Sequence, residues 1–191
     1  MKLIFASHNL HKLQEIQAML PQGIELTGLS QLGIDEDIPE TSDTLEGNAL
    51  QKAHYVYDRL GQNCFADDTG LEVDFLDGGP GVYTARYAGE GCSFDDNVNK
   101  LLRTMQGVAD RRARFRTVIA LILDGKEYLF EGQVQGSIAT ERRGTDGFGY
   151  DPIFVPEETG LTFSEMGPDE KNRISHRGRA IAKFLEFLKQ V

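Results

Sequence analysis

The chain has 191 residues, 40% of them hydrophobic, which is enough to bury a substantial core and argues against disorder. Thirty acidic residues against twenty basic ones give a formal charge of −10, which argues against tracking a nucleic-acid polymer or an anionic membrane while leaving a small phosphate ligand open. The opening apolar run Leu3-Ile4-Phe5-Ala6 is too short for a signal peptide or a membrane span, so a cytoplasmic protein with Cys64 and Cys92 as reduced thiols is expected.

In chain order, Leu3 to Ala6 reads as a buried strand, Ser7-His8-Asn9 as a polar turn, and Leu13, Ile16 and Leu20 as one face of a helix that Pro21 ends. Ile24 to Thr27 suits a second strand, followed by an acidic loop from Asp35 to Asp43. A second helix starts near Asp43 or Thr44, where Asp43-x-x-Glu46 resembles a capping box, and carries Ala49, Ala53, Val56, Tyr57 and Leu60. Asn63 to Ala66 reads as a strand that ends on Asp67-Asp68-Thr69-Gly70. A long loop from Gly78 to Gly91 precedes a helix from Phe94 to Met105, capped by Ser93. Phe115 to Leu123 and Glu127 to Val134 form a strand pair turning at Asp124-Gly125, and a last helix runs from Gly178 to Lys189. No repeat or linker interrupts this pattern, so residues 1–191 are expected to form one α/β domain with a central mixed β-sheet flanked by helices. Two intimately joined lobes with an active-site cleft would suit the motif-bearing loops.

Three constellations carry chemistry. The carboxylates Glu40, Asp67, Asp68 and Glu72 read either as solvated turns and caps or as ligands of a hard divalent cation, since clustered like charges need compensation. Ser7, His8, Asn9 and Lys12 at a helix N-terminus, with Lys52 on the second helix, suit phosphate, although a surface cap accounts for them equally well. His8-x-x-His11 lacks the further ligands of a zinc site. The third set is Asp146-Gly147-Phe148-Gly149-Tyr150-Asp151 with Lys171 and Ser175-His176-Arg177-Gly178. Phe148 there is either a core plug or a stacking surface for a flat ring, Asp151 either meets a ring edge or fixes the loop, and His176 and Arg177 offer donors to a carbonyl oxygen. Metal, phosphate and a flat ring together describe a nucleotide. Neither a nucleophile elbow nor a complete P-loop is present.

These motifs, in this order, resemble the Ham1 or inosine triphosphate pyrophosphatase family nearly end to end. The resemblance takes in Ser7-His8-Asn9 with Lys12 and Glu15, Pro39-Glu40-Thr41, Glu46-Gly47-Asn48-Ala49 with Lys52-Ala53, and Ala66 to Val73. It continues through Pro80-Gly81-Val82-Tyr83, Ala85-Arg86-Tyr87, Gly147 to Pro152, Phe163, Glu165-Met166, Lys171-Asn172 and Ser175 to Gly178. The family implies homodimeric α/β enzymes that use Mg²⁺ to cleave non-canonical purine nucleoside triphosphates, dITP, ITP and XTP, into a monophosphate and pyrophosphate. Carried over, Asp68 is the general base and a metal ligand, Glu40 the second ligand, and Asp67 and Glu72 tune or complete the metal site. Ser7, His8, Asn9, Leu10, His11 and Lys12 hold the triphosphate, Lys12 and Lys52 stabilise the departing pyrophosphate, and Thr69 contacts substrate. Phe148, Gly149, Tyr150, Asp151, Lys171, His176 and Arg177 form the nucleoside pocket, with His176 and Arg177 donating to the base O6. Two positions depart from the pattern: Thr69 stands where many members have Ser, and Gly47 where many have a second Glu. Removal of the terminal phosphate alone, and nucleotide sensing without turnover, are the competing readings.

Overall fold

Parallel pairing around the first strand organises the N-terminal part of the protein, for which a computed structural model describes residues 1–191. Strand β1 (Lys2–Phe5) pairs in parallel with β2 (Glu25–Gly28), from Lys2 opposite Glu25 to Phe5 opposite Gly28. Its other edge pairs in parallel with β3 (Cys64–Val73), Phe5 facing Phe65. Parallel neighbours need crossovers, and the helices α1 (Leu10–Met19) and α2 (Leu45–Leu60) provide them. With β1 in the middle, the chain leaves it toward β2 and returns to β3 on the opposite side. β1 and β2 end in register at Phe5 and Gly28, and β3 runs on past Phe65 through Asp67 and Asp68; carboxyl ends of this kind are where open α/β sheets bind ligands.

The remaining elements are β4 (Gly79–Pro80), α3 (Phe94–Thr104), β5 (Arg112–Leu123), β6 (Lys126–Ile138), β7 (Phe154–Pro156), α4 (Pro168–Ile174) and α5 (His176–Leu188). The strand order is β2-β1-β3-β5-β6-β7, with β4 antiparallel on β3 and β7 antiparallel on β6, so the sheet is mixed as expected. Asp124 and Gly125 both take positive φ, 50° and 79°, the conformation that a tight hairpin turn demands.

The chain divides into two compact units, one formed by residues 1–68, 117–132 and 177–191 and the other by 69–116 and 133–176. Each has its own apolar core. The first gathers Leu3, Phe5, Ile16, Phe65, Ile119, Leu121, Ile181 and Phe184, with the rings of Phe5 and Phe65 stacked at 5.0 Å. The second gathers Leu71, Val98, Leu101, Phe115, Val134, Ile153, Phe154 and Phe163.

Several boundaries differ from the expectations. Strand β3 runs through Asp67-Asp68 to Val73, so both carboxylates lie inside a strand instead of after it. Helix α2 is capped by Thr44, whose side chain accepts from Gly47 N, and not by Asp43. After β3, Asp74–Leu76 form a short 3-10 turn, and α5 begins at His176 instead of Gly178.

Both cysteines are free thiols. Cys64 is fully buried in β3, donates to Ala53 O at 3.3 Å, and has its pKa pushed up to about 12 by burial. A thiol reagent is therefore expected to modify Cys92 in the native protein and Cys64 only on unfolding, counted by mass spectrometry with and without urea.

Candidate active site

In the first unit, charge gathers beyond the end of β1, around Asp67 and Asp68 of β3. Asn9 caps α1, its Oδ1 accepting from Lys12 N at 3.1 Å, while Ser7 Oγ accepts from Asn9 N at 3.1 Å. The cap sets the register of α1 and so directs Lys12, one turn along, toward β3, where its Nζ donates to Asp67 Oδ1 at 3.1 Å. Arg177 on α5 takes the other oxygen, with Nε 3.3 Å from Asp67 Oδ2, and its Nη1 donates to Glu15 on α1. Asp67 and Arg177 are 0% and 2% exposed. Burial alone would push the Asp67 carboxyl up, but Lys12, Arg177 and Lys52 outweigh it and hold the group well below the ordinary carboxylate range. Burial pulls the Lys12 ammonium below an ordinary lysine, with Asp67 offsetting only part of the effect.

Successive strand residues face opposite ways, so Asp68 leaves that ion-paired side and meets α2. Lys52 Nζ donates to Asp67 O at 2.6 Å and lies 2.8 Å from Glu40 Oε1 and 3.7 Å from Asp68 Oδ1. Burial opposes its charge, yet Asp68, Glu40 and Asp67 together raise it above an ordinary lysine. Asp68 is 6% exposed, and its Oδ2 is buried without a hydrogen-bond partner. Burial raises its carboxyl above the ordinary range, opposed only in part by Lys52 and Lys12.

The adjacent aspartates thus have different environments. Asp67 is neutralised by the protein's own cations, a correction to its expected place beside a metal. Glu72 needs the same correction: in the second unit it binds Arg114 and Arg116, Oε1 lying 2.9 Å from Arg116 Nη1. No three His, Cys, Asp or Glu side chains converge as a ready-made cation cage. Glu40 and Asp68, though, share one ammonium, and the orphaned Asp68 Oδ2 is a hard donor lacking a partner. Two carboxylates completed by water and phosphate oxygens are the usual protein contribution to Mg²⁺, so these residues fit that ion.

Of the other residues expected at the phosphates, His8 has a ring nitrogen 2.9 Å from Glu36 O, while Leu10 and His11 are exposed at the start of α1. Thr69 is half-buried in β3.

In the second unit, Asp151 fixes the loop, the structural one of its two expected roles. Its Oδ2 accepts from Phe148 N at 3.1 Å and from Lys171 Nζ at 2.6 Å. Gly147 is required there, because a Cβ would lie 2.1 Å from that same oxygen and φ is +79°. The half-buried Phe148 ring has the Lys171 ammonium 4.9 Å from its centroid and Phe94 at 5.8 Å. It is therefore not a core plug. His176 stacks on Phe115 at 4.5 Å and 14°, which fixes the imidazole plane. Tyr150 departs from its expected place in a nucleoside pocket: it is 4% exposed within the core, with its hydroxyl donating to Thr84 O at 2.7 Å. The Arg177 guanidinium is engaged with Asp67 and Glu15.

Glu15 is the residue whose role the sequence did not reveal. Its spacing of three from Lys12 puts both on one face of α1, but its partner Arg177 lies 162 residues away.

The pattern of the Ham1 family matches residues 3–187. A dITP/XTP pyrophosphatase of Porphyromonas gingivalis is 56% identical over 188 residues, covering 98% of this chain and 97% of that protein. Another from Flavobacterium johnsoniae is 53% identical, covering 98% of each. Among solved structures, the Staphylococcus aureus Ham1 protein superposes with a TM-score of 0.89 at 39% identity, over 100% of this chain and 99% of that one. A HAM1 protein from Coxiella burnetii gives 0.91 at 36% identity over the whole of both chains.

Proposed function

The chain belongs to the Ham1 family, and from that premise we propose that it hydrolyses non-canonical purine nucleoside triphosphates, dITP, ITP and XTP, to the monophosphate and pyrophosphate. The observation that carries the mechanism is Asp68: a buried carboxylate with one unpartnered oxygen and a raised pKa, next to two lysines. Such a group is a suitable general base for water, because its proton affinity is higher than that of an exposed aspartate. Lys12 and Lys52 offer positive charge to the pyrophosphate leaving group, and the capped start of α1 offers backbone N–H groups to phosphate oxygens. Mg²⁺, held by Glu40 and Asp68, supplies neutralisation of the triphosphate charge when bound.

On this reading water attacks the α-phosphorus, and the bond to the bridging oxygen of the β-phosphate breaks. Hydrolysis in ¹⁸O-water is expected to put the label into the monophosphate, whereas label in pyrophosphate places the attack on the β-phosphorus and overturns the assignment. Appearance of inorganic phosphate would favour removal of the terminal group.

For the base, the Phe148 ring backed by Lys171 provides a stacking surface, and Lys171 and His176 provide donors for a carbonyl at C6, which adenine lacks. Phe148→Ala is expected to raise KM for ITP roughly tenfold with kcat little changed, since one base stack contributes about 1–3 kcal/mol. Steady-state kinetics checks this. The same proposal takes a second copy of the chain as partner and the cytoplasm as the setting. No helix is long and apolar enough to cross a membrane.

A further inference from the structure

We propose that Gly47, Asn48 and Gln51 are positioning residues that set the Glu40 carboxylate by zipping its loop onto α2, an inference that rests on the reading of Glu40 as a metal ligand. Three successive loop residues meet the helix in reverse order. Ser42 N donates to Asn48 Oδ1 at 2.8 Å, and Asn48 Nδ2 donates back to Ser42 O at 3.2 Å. Thr41 N donates to Gln51 Oε1 at 2.8 Å, and Gln51 Nε2 donates to Thr41 Oγ1 at 3.1 Å. Glu40 Oε1 then lies 2.8 Å from Lys52 Nζ. Further back, Tyr55 donates from its hydroxyl to Glu36 Oε1 at 2.9 Å.

Residues 40–42 have no regular secondary structure, so their backbone depends on such external bonds. Asn48 is fully buried and bonds both the N–H and the C=O of Ser42, in the manner of a sheet partner. Gly47 permits the close approach: a Cβ there would lie 2.0 Å from Ser42 Oγ and 2.6 Å from Ser42 Cβ. Because the second distance is to the root of the side chain, rotating Ser42 would not relieve the clash. Any side chain at position 47 lifts Ser42 from the helix, and Glu40, two residues earlier, moves with it. This explains why position 47 holds no carboxylate in this chain: the space is filled by Ser42.

The test is Mn²⁺ binding, followed by electron paramagnetic resonance, to the full chain saturated with the α,β-imido analogue of ITP. Gly47→Ala and Gln51→Ala are each expected to weaken Mn²⁺ binding by about 10-fold or more, the usual effect of removing support behind a metal ligand. Affinity for the analogue in EDTA stays unchanged, a split that general loosening of the fold would not produce. Gly47→Ala combined with Ser42→Gly removes the clash and restores Mn²⁺ affinity. Unchanged Mn²⁺ binding in both single variants, while Glu40→Gln loses it, overturns the positioning role. If Glu40→Gln also binds Mn²⁺ normally, the ligand reading itself fails and takes the inference with it. Gln51→Ala removes only side-chain bonds at a half-buried position, so it carries the test if Gly47→Ala folds poorly.

Discussion

Asp68→Asn is expected to lower turnover of ITP by roughly 10²–10⁴-fold, the contribution usually made by a positioned general base, while leaving the protein at least as stable as before. The two effects have opposite signs for one reason. Asp68 is 6% exposed, and its Oδ2 has no partner, so the ionised form is costly in the native state and its pKa is raised by burial. For an acid raised on folding, the native state takes up a proton before the unfolded chain does, and at neutral pH the charge detracts from stability. A neutral amide of the same shape removes that cost together with the base. Lys52 keeps Glu40 and the Asp67 carbonyl, so it is not stranded. Kinetics paired with urea unfolding in metal-free buffer reads both signs. A loss of activity accompanied by an equal loss of stability would make Asp68 structural.

Arg177→Ala has the largest expected effect on the fold, a destabilisation of about 3–5 kcal/mol, because it strips one partner from a buried ion pair. The guanidinium bridges Glu15 and Asp67, and Asp67 has no exposure to water. Lys12 would still pair with Asp67, with Lys52 adding a further positive charge. Asp67 is depressed on folding, so its stabilising contribution is fully present above the ordinary carboxylate pKa of about 4 and is lost as pH falls through its lower folded value. The difference between wild type and variant in urea should therefore hold constant from pH 8 to 5 and narrow only in stronger acid. The competing role for Arg177, reading the base, predicts a different result: stability within about 0.5 kcal/mol of wild type and altered discrimination between ITP and ATP.

These two residues also show what was legible in the sequence. The strand, turn and helix opening from Leu3 to Leu20 was readable because its apolar spacing and the Pro21 stop are local signals, and the Asp124-Gly125 hairpin was readable for the same reason. The short elements were not: β4 and β7 have two and three residues, too few to show a period, and depend on their partners for existence. Among the site residues, adjacency misled. Asp67 and Asp68 look equivalent as neighbours in a motif, but a strand turns them to opposite faces, and only the fold shows that one is held between two cations while the other keeps an unpartnered oxygen. The neighbours His176 and Arg177 likewise have different partners. His176 stacks in one core while Arg177 pairs with residues of the other unit's own set. Gly47 was visible as a departure from the family's pattern, but its cause, the packing of Ser42, is tertiary.

The central claim is that this chain splits non-canonical purine triphosphates at the α–β bond with Asp68 as base. Its most direct test is product analysis of ITP, XTP, dITP, GTP and ATP incubated side by side with the protein in Mg²⁺. The expected result is pyrophosphate and monophosphate from the first three, little from GTP or ATP, and the same products formed roughly 10²–10⁴-fold more slowly with Asp68→Asn. Inorganic phosphate as the product, or equal turnover of ATP and ITP, would contradict it.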